Sequence, residues 1–166
     1  IRDSLMTGPL YFIYKIISTI NLCKKLKLKY PKSEFIPVYW MASEDHDFEE
    51  INSFNFQDKK IQWKRNSAGA VGDFPLNDLQ EALDIFETNL GNSPEVSFIK
   101  ELLEKSYRKA VNLSEATFKL VDQLFGSYGL IVLEPNQKVL KSLFSPIIKD
   151  ELTNASSFKI VTEQIN

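Results

Sequence analysis

Phe35-Ile36-Pro37-Val38-Tyr39-Trp40-Met41-Ala42 runs directly into Ser43-Glu44-Asp45-His46-Asp47-Phe48-Glu49-Glu50, and the fold turns on that junction. A short run rich in β-branched and aromatic residues predicts a strand buried on both faces. The composition then flips within one residue, gathering five carboxylates and the only histidine of the chain. In open α/β sheets, ligands bind in the crevice outside the carboxyl ends of the strands. Ser43, Glu44, Asp45, His46 and Asp47 are therefore candidate site residues by position as well as by type. The same residues also read as a helix start, with Ser43 as N-cap and the acids matched to the helix dipole.

On the amino-terminal side, Thr7-Gly8-Pro9-Leu10-Tyr11 opens a helical pattern that reaches Tyr30. Pro9 suits a first helical position, and Leu10, Ile13, Ile17 and Ile20 form the predicted buried stripe, with Met6 a further member. Free N–H groups after Gly8 would make an anion site. Lys24, Lys25, Lys27 and Lys29 read either as a polyanion patch or as a dipole-matched helix end. Cys23 reads as a packing residue, since nothing in its sequence surroundings points to a lowered thiol pKa.

On the other side, Ile51 to Phe56 and Lys60 to Lys64 alternate around Gln57-Asp58-Lys59, predicting a small hairpin. Gly69 and Gly72 flank Ala70-Val71 and read as a turn or as a phosphate cradle. Three helices are expected next. Asn77 or Asp78 caps the first, which buries Leu79, Leu83, Phe86 and Leu90. Ser93-Pro94-Glu95 starts the second, which carries Val96, Ile99, Leu103 and Tyr107. Ser114-Glu115 opens the third, with Phe118, Val121, Leu124 and Phe125 inside. Leu130 to Leu133 is a second buried strand. Glu134, just past it, could reach a ribose or an amine in the crevice, or cap the helix starting near Gln137. That helix is expected to break near Pro146 and to restart at Ser156 or Ser157. Two buried strands separated by long helical stretches give an α/β domain with a mainly parallel sheet.

Composition narrows the classes. A chain of 166 residues, 43% hydrophobic and 25% charged, is an ordinary globular composition. Twenty Lys+Arg against twenty-two Asp+Glu give no bias toward nucleic acid or a membrane surface. One cysteine, no run of about eighteen apolar residues and no secretory leader make the cytoplasm the expected compartment. The first residues lack a start methionine and the last stop inside a helical pattern, so a fragment of a longer chain is expected.

Pro37 to Asn52, read as PVYWMASEDHDFEEIN, resembles the signature of the bacillithiol biosynthesis cysteine-adding enzyme family. Thr7-Gly8-Pro9-Leu10-Tyr11, Gly69-Ala70-Val71-Gly72, Leu124-Phe125-Gly126 and Gly129 to Pro135 agree in kind and order. The resemblance covers most of the chain and implies a Rossmann-like core of nucleotidyltransferase type. It divides the chain into a first part of the core over 1–75, a helical connecting segment over 76–126 and a second part of the core over 127–166. The family carries a Thr-Thr-Gly-Gln-Gln type of turn before the Gly-Pro; Ile1 to Met6 stands there and departs from it.

The implied reaction joins the carboxyl of cysteine to the amino group of glucosaminyl malate, giving bacillithiol. A carboxylate acylates poorly, so activation by ATP or another adenine nucleotide is expected, with Mg²⁺ at most bridging that nucleotide. His46, Asp45 and Asp47 are the expected catalytic residues. Gly8, Pro9, Tyr11, Ser43, Glu44, Asn52, Gly69, Gly72 and Glu134 are the expected binding residues. One His beside two Asp leaves the remaining ligands of a metal site unidentified, and no metal centre is assigned. A homodimer through a coiled coil outside this chain is expected from the family. Two other readings stand beside this one: a nucleotidyltransferase-like enzyme with another acceptor, and a non-catalytic α/β interaction module.

Overall fold

The computed structural model describes residues 5–66 and 68–165. The departure from the family pattern at Ile1 to Ser4 lies outside them. The chain forms two compact units, Ile1–Glu134 and Pro135–Asn166. In the first, α1 (Tyr11–Lys29) leads to β1 (Val38–Trp40), the one-turn α2 (Phe48–Ile51) and the hairpin β2 (Ser53–Phe56) and β3 (Lys59–Gln62). Then come α3 (Gln80–Asn89), α4 (Glu95–Leu103), α5 (Leu113–Phe125) and β4 (Ile131–Leu133).

β1 and β4 pair in parallel, with Val38 beside Ile131, Tyr39 beside Val132 and Trp40 beside Leu133. Bonds from Ile131 N to Pro37 O and from Met41 N to Leu133 O extend the pairing at both ends. Helices cover one face. Phe12 meets Tyr39 edge-on at 5.3 Å, and Met41, Val121, Phe125 and Leu130 close the same cluster. The other face is bare: Val38 is 47% and Trp40 59% exposed. The expectation of two buried strands is corrected at Val38, Trp40 and Ile131, all exposed, because the first unit supplies a covering layer on one side only.

The stripe expected for α1 is also corrected. Phe12, Ile16 and Ile20 are buried, whereas Leu10 and Ile17 are exposed. Apolar residues occur all round this helix, so its spacing permits more than one face; the partners, Tyr39 and Phe125, select it.

A larger cluster lies under the hairpin and α3 to α5. Phe48, Trp63 and Phe74 meet edge-to-face, with centroids at 5.1 Å, 5.6 Å and 6.4 Å. Such pairs each contribute about 0.5–1.5 kcal/mol beyond burial. Leu79, Leu83, Phe86, Leu103 and Tyr107 pack there, as their periodicity predicts. Phe118 does not: it is exposed, while Ala116, Leu120 and Val121 take the inner face of α5. Asp78 does not cap the first helix either; its carboxylate accepts from Trp63 Nε1 at 2.7 Å and pairs with Arg65. The hairpin forms as expected around Gln57 and Asp58, both at positive φ.

The second unit holds α6 (Lys138–Asn154) and α7 (Ser156–Ile165), joined through Ala155 at φ 48°. The restart at Ser156 is as expected. The break near Pro146 is not, because α6 runs through it. Proline there costs the Ser142 carbonyl its helical donor, and Ser142 lies exposed, where water can replace it.

Candidate functional site at the carboxyl ends of the strands

Past Met41 the chain leaves β1 and turns, with Asp45 N donating to Ala42 O at 3.1 Å. Ser43 is fully buried, unusual for a serine unless its polar atoms are satisfied. They are. Its hydroxyl donates to Glu134 Oε1 in a short bond, and its carbonyl accepts from Gly72 N at 3.0 Å. Ser43 and Glu134 lie 91 positions apart, Glu134 directly after β4 and Ser43 just past Met41 and Ala42 beyond β1, so this bond ties the carboxyl ends of the two strands. Glu134 is only partly exposed, at the position where a Rossmann-like sheet meets ligand.

Gly72 belongs to the wall behind this bond. A Cβ built on it would fall 2.6 Å from Ser43 Cβ and 2.8 Å from Ser43 O, with Ser114 Oγ nearer still. Its amide is held by Ser43, and Val71 N donates to Asp45 O at 2.8 Å. The cradle reading is therefore corrected at Gly72, whose amide binds protein. Gly69 is an exposed turn residue at φ 120°.

The acidic segment divides by role. Asp45 Oδ1 accepts from His46 N at 2.8 Å and from Asp47 N at 3.3 Å. Asp47 caps α2 by accepting from Glu50 N at 3.3 Å. Both carboxylates shape the loop. His46 and Glu44, between and beside them, are exposed. The N-cap of α2 is Asp47, not Ser43, which corrects the capped-helix alternative by four residues. Asn52 ends α2, and its carbonyl accepts from Trp63 N at 2.7 Å, so it serves the hairpin.

α1 begins at the same edge of the sheet, since Phe12 packs on Tyr39 while Ile20 lies with Phe35 and Gly129 at the amino ends. Gly8, at φ 58°, donates to Leu5 O at 3.0 Å and closes a turn, and of the N–H groups after it Phe12 N donates to Pro9 O at 2.9 Å. Pro9 and Tyr11 are exposed, and Lys15 Nζ sits 4.2 Å from the centre of the Tyr11 ring. Tyr11 lines a groove of about 410 Å³ with Tyr14, Lys15, Tyr39 and Leu130.

At the lysine-rich end of α1, one lysine serves the turn that follows. Lys27 Nζ donates to Pro31 O and Ser33 O at 3.3 Å and pairs with Glu34. Beside it, Cys23 and Tyr128 line a second groove of about 460 Å³, away from Ser43. Among the described residues no three His, Cys, Asp or Glu side chains gather as a metal-ligand set, and no helix is long and apolar enough to cross a membrane. One participant escaped sequence reading. Tyr107 reads only as a core residue, yet its hydroxyl reaches the turn before α1; its single signal is a phenol in an apolar stripe, which needs a partner when buried.

The family model described as "Bacillithiol biosynthesis BshC, N-terminal Rossmann-like domain" matches residues 2–166. A Flavobacterium psychrophilum protein named "Putative cysteine ligase BshC" is 51% identical over 162 residues, 98% of this chain and 30% of that protein. A Flavobacterium johnsoniae protein of the same name is 51% identical over 98% of this chain and 31% of its own length. One from Natranaerobius thermophilus is 34% identical over 91% of this chain and 29% of its own. The chain spans under a third of the length of these curated relatives.

Proposed function

The chain belongs to the bacillithiol biosynthesis BshC family, and we propose that it supplies the nucleotide-side half of a ligase joining the carboxyl of cysteine to the amino group of glucosaminyl malate. The observation that carries this reading is the identity of 51% over 98% of the chain to a relative named as a cysteine ligase. The Ser43–Glu134 bond supports it by giving that chemistry a polar floor at the carboxyl edge of the parallel pair.

Amide formation requires an activated carboxyl, a bound ammonium and an amine held in line. Glu134, anchored by Ser43, takes the ammonium of cysteine or a ribose hydroxyl. Exposed His46 donates to a phosphate or carries the proton lost by the attacking amine. Asp45 and Asp47 hold His46 in place through the backbone rather than by touching substrate. Glu44 contacts the sugar. The turn Gly8-Pro9 and Tyr11 form the opposite wall. An adenine nucleotide would supply the activation, with Mg²⁺ bridging that nucleotide. The working unit is a cytoplasmic homodimer.

The test follows bacillithiol by mass spectrometry in the complete protein given cysteine, glucosaminyl malate and ATP, for wild type and His46→Ala. A loss of about 10²-fold or more in the variant is expected for a general acid–base. Equal product from both removes His46 from the chemistry and leaves the acidic segment a loop scaffold. No product from a folded wild type overturns the ligase reading, and adenylate formation with other acceptors becomes the question.

A further inference from the structure

Met6 holds φ 59°, in the left-handed region that non-glycine residues rarely occupy. Such a conformation persists only where the surroundings hold it. The Tyr107 hydroxyl accepts from Met6 N at 2.8 Å and donates to Met6 O at 3.4 Å, so one atom engages both backbone polar groups of this residue. The two residues stand 101 positions apart.

The tyrosine is itself firmly placed. Its ring is fully buried in the larger core cluster. Its backbone lies in a π-helical turn, Glu104–Arg108, that continues α4. On one side Ser106 Oγ donates to Leu102 O at 2.6 Å. On the other Arg108 grips α3 through Asp84 at 2.7 Å, Glu87 at 2.8 Å and Gln80 at 2.9 Å. These bonds to Asp84 and Glu87 hold the guanidinium pKa above its ordinary value. A phenol fixed so tightly can fix what it bonds.

What it bonds is the entry to α1. Leu5 is buried in the same cluster as Phe48, Ile51 and Val71, the residues on which the acidic segment and the Gly72 wall rest. The Leu5–Pro9 turn and the His46 loop therefore share one apolar floor. We propose that Tyr107 is a positioning residue of the ligase: its hydroxyl latches Met6 so that the Gly8–Tyr11 wall stands at fixed height over the site. Packing alone would be served by phenylalanine.

This inference rests on the proposed function, and its test keeps the two apart. The complete protein is compared with Tyr107→Phe, which keeps the ring and removes only the hydroxyl. Amide exchange is followed over residues 5–10, with residues 113–125 as control. Removing one partner of this part-buried hydrogen bond should speed exchange about tenfold in the first segment alone. Cysteine and ATP titrations should show KM rising by a similar factor, about tenfold, with kcat changed less than about twofold. Unchanged exchange overturns the latch. Faster exchange with unchanged KM and kcat overturns its positioning role. If wild type makes no product, the ligase reading fails, and exchange still judges the latch: faster exchange confined to the turn supports it.

Discussion

Gly72 stands where no side chain fits. Alanine there would set a methyl 2.6 Å from Ser43 Cβ, and both neighbours are held, Ser43 by Glu134 and Gly72 by the Ser43 carbonyl. Gly72→Ala should therefore destabilise the complete protein by about 1–3 kcal/mol, the usual cost of overpacking. Urea unfolding measures it; a change under about 0.5 kcal/mol would mean that the wall yields freely. Gly69→Ala, by contrast, meets no neighbour and strains only the backbone. At this scale the sequence marks both glycines and cannot rank them. A glycine kept for a turn and one kept for close approach look alike until the partner strand segment is known. Asp45 and Asp47 teach the same lesson: their type suggests chemistry, yet both accept from backbone amides close by in the chain.

Helix α5 shows what local signals do settle. Asn112, extended at φ −146°, accepts from Glu115 N at 2.9 Å, and Glu115 reaches back to Val111 N at 2.7 Å. This is a reciprocal capping arrangement. Asn112→Ala should cost about 1 kcal/mol; a thermal midpoint unchanged in calorimetry would show that tertiary packing alone fixes the start of α5. Glu115 is held below the usual carboxylate range, chiefly by Lys119 and then by the Val111 amide. Its contribution is accordingly complete above the unfolded pKa and fades as pH falls through the lower folded value. The residues Ser114-Glu115 announce this helix start within two positions. α1 is the opposite case. Its span is legible, but its buried face is not, since Leu10 and Phe12 are equally apolar and only contact with Tyr39 separates them.

At the scale of the whole molecule, the first unit covers one face of the parallel pair β1–β4 and leaves Val38 and Trp40 exposed on the other. Parallel sheets occur almost only with both faces covered. The relatives run to more than three times the matched length. In the complete protein the Val38–Trp40 face should therefore be covered. The Trp40 signal, taken as the difference between wild type and Trp40→Phe, should resist acrylamide quenching. Efficient quenching would show that this face meets water in the finished molecule. Trp63, fully buried, gives a protected reference within the same chain.

The sequence by itself determined the element types and their order, the position of the polar cluster after β1, and the family, because period, punctuation and motif are local properties of a chain. It also placed Glu134 just beyond the second strand. Only the tertiary structure decided that Ser43 and Glu134 meet, that Gly72 is fixed by their contact, that Tyr107 holds Met6, and which faces of α1 and β1 are buried. Each of these joins residues far apart in the chain, and a contact across such a loop leaves no trace in local pattern: it exists once the sheet pairs and the helices choose their faces.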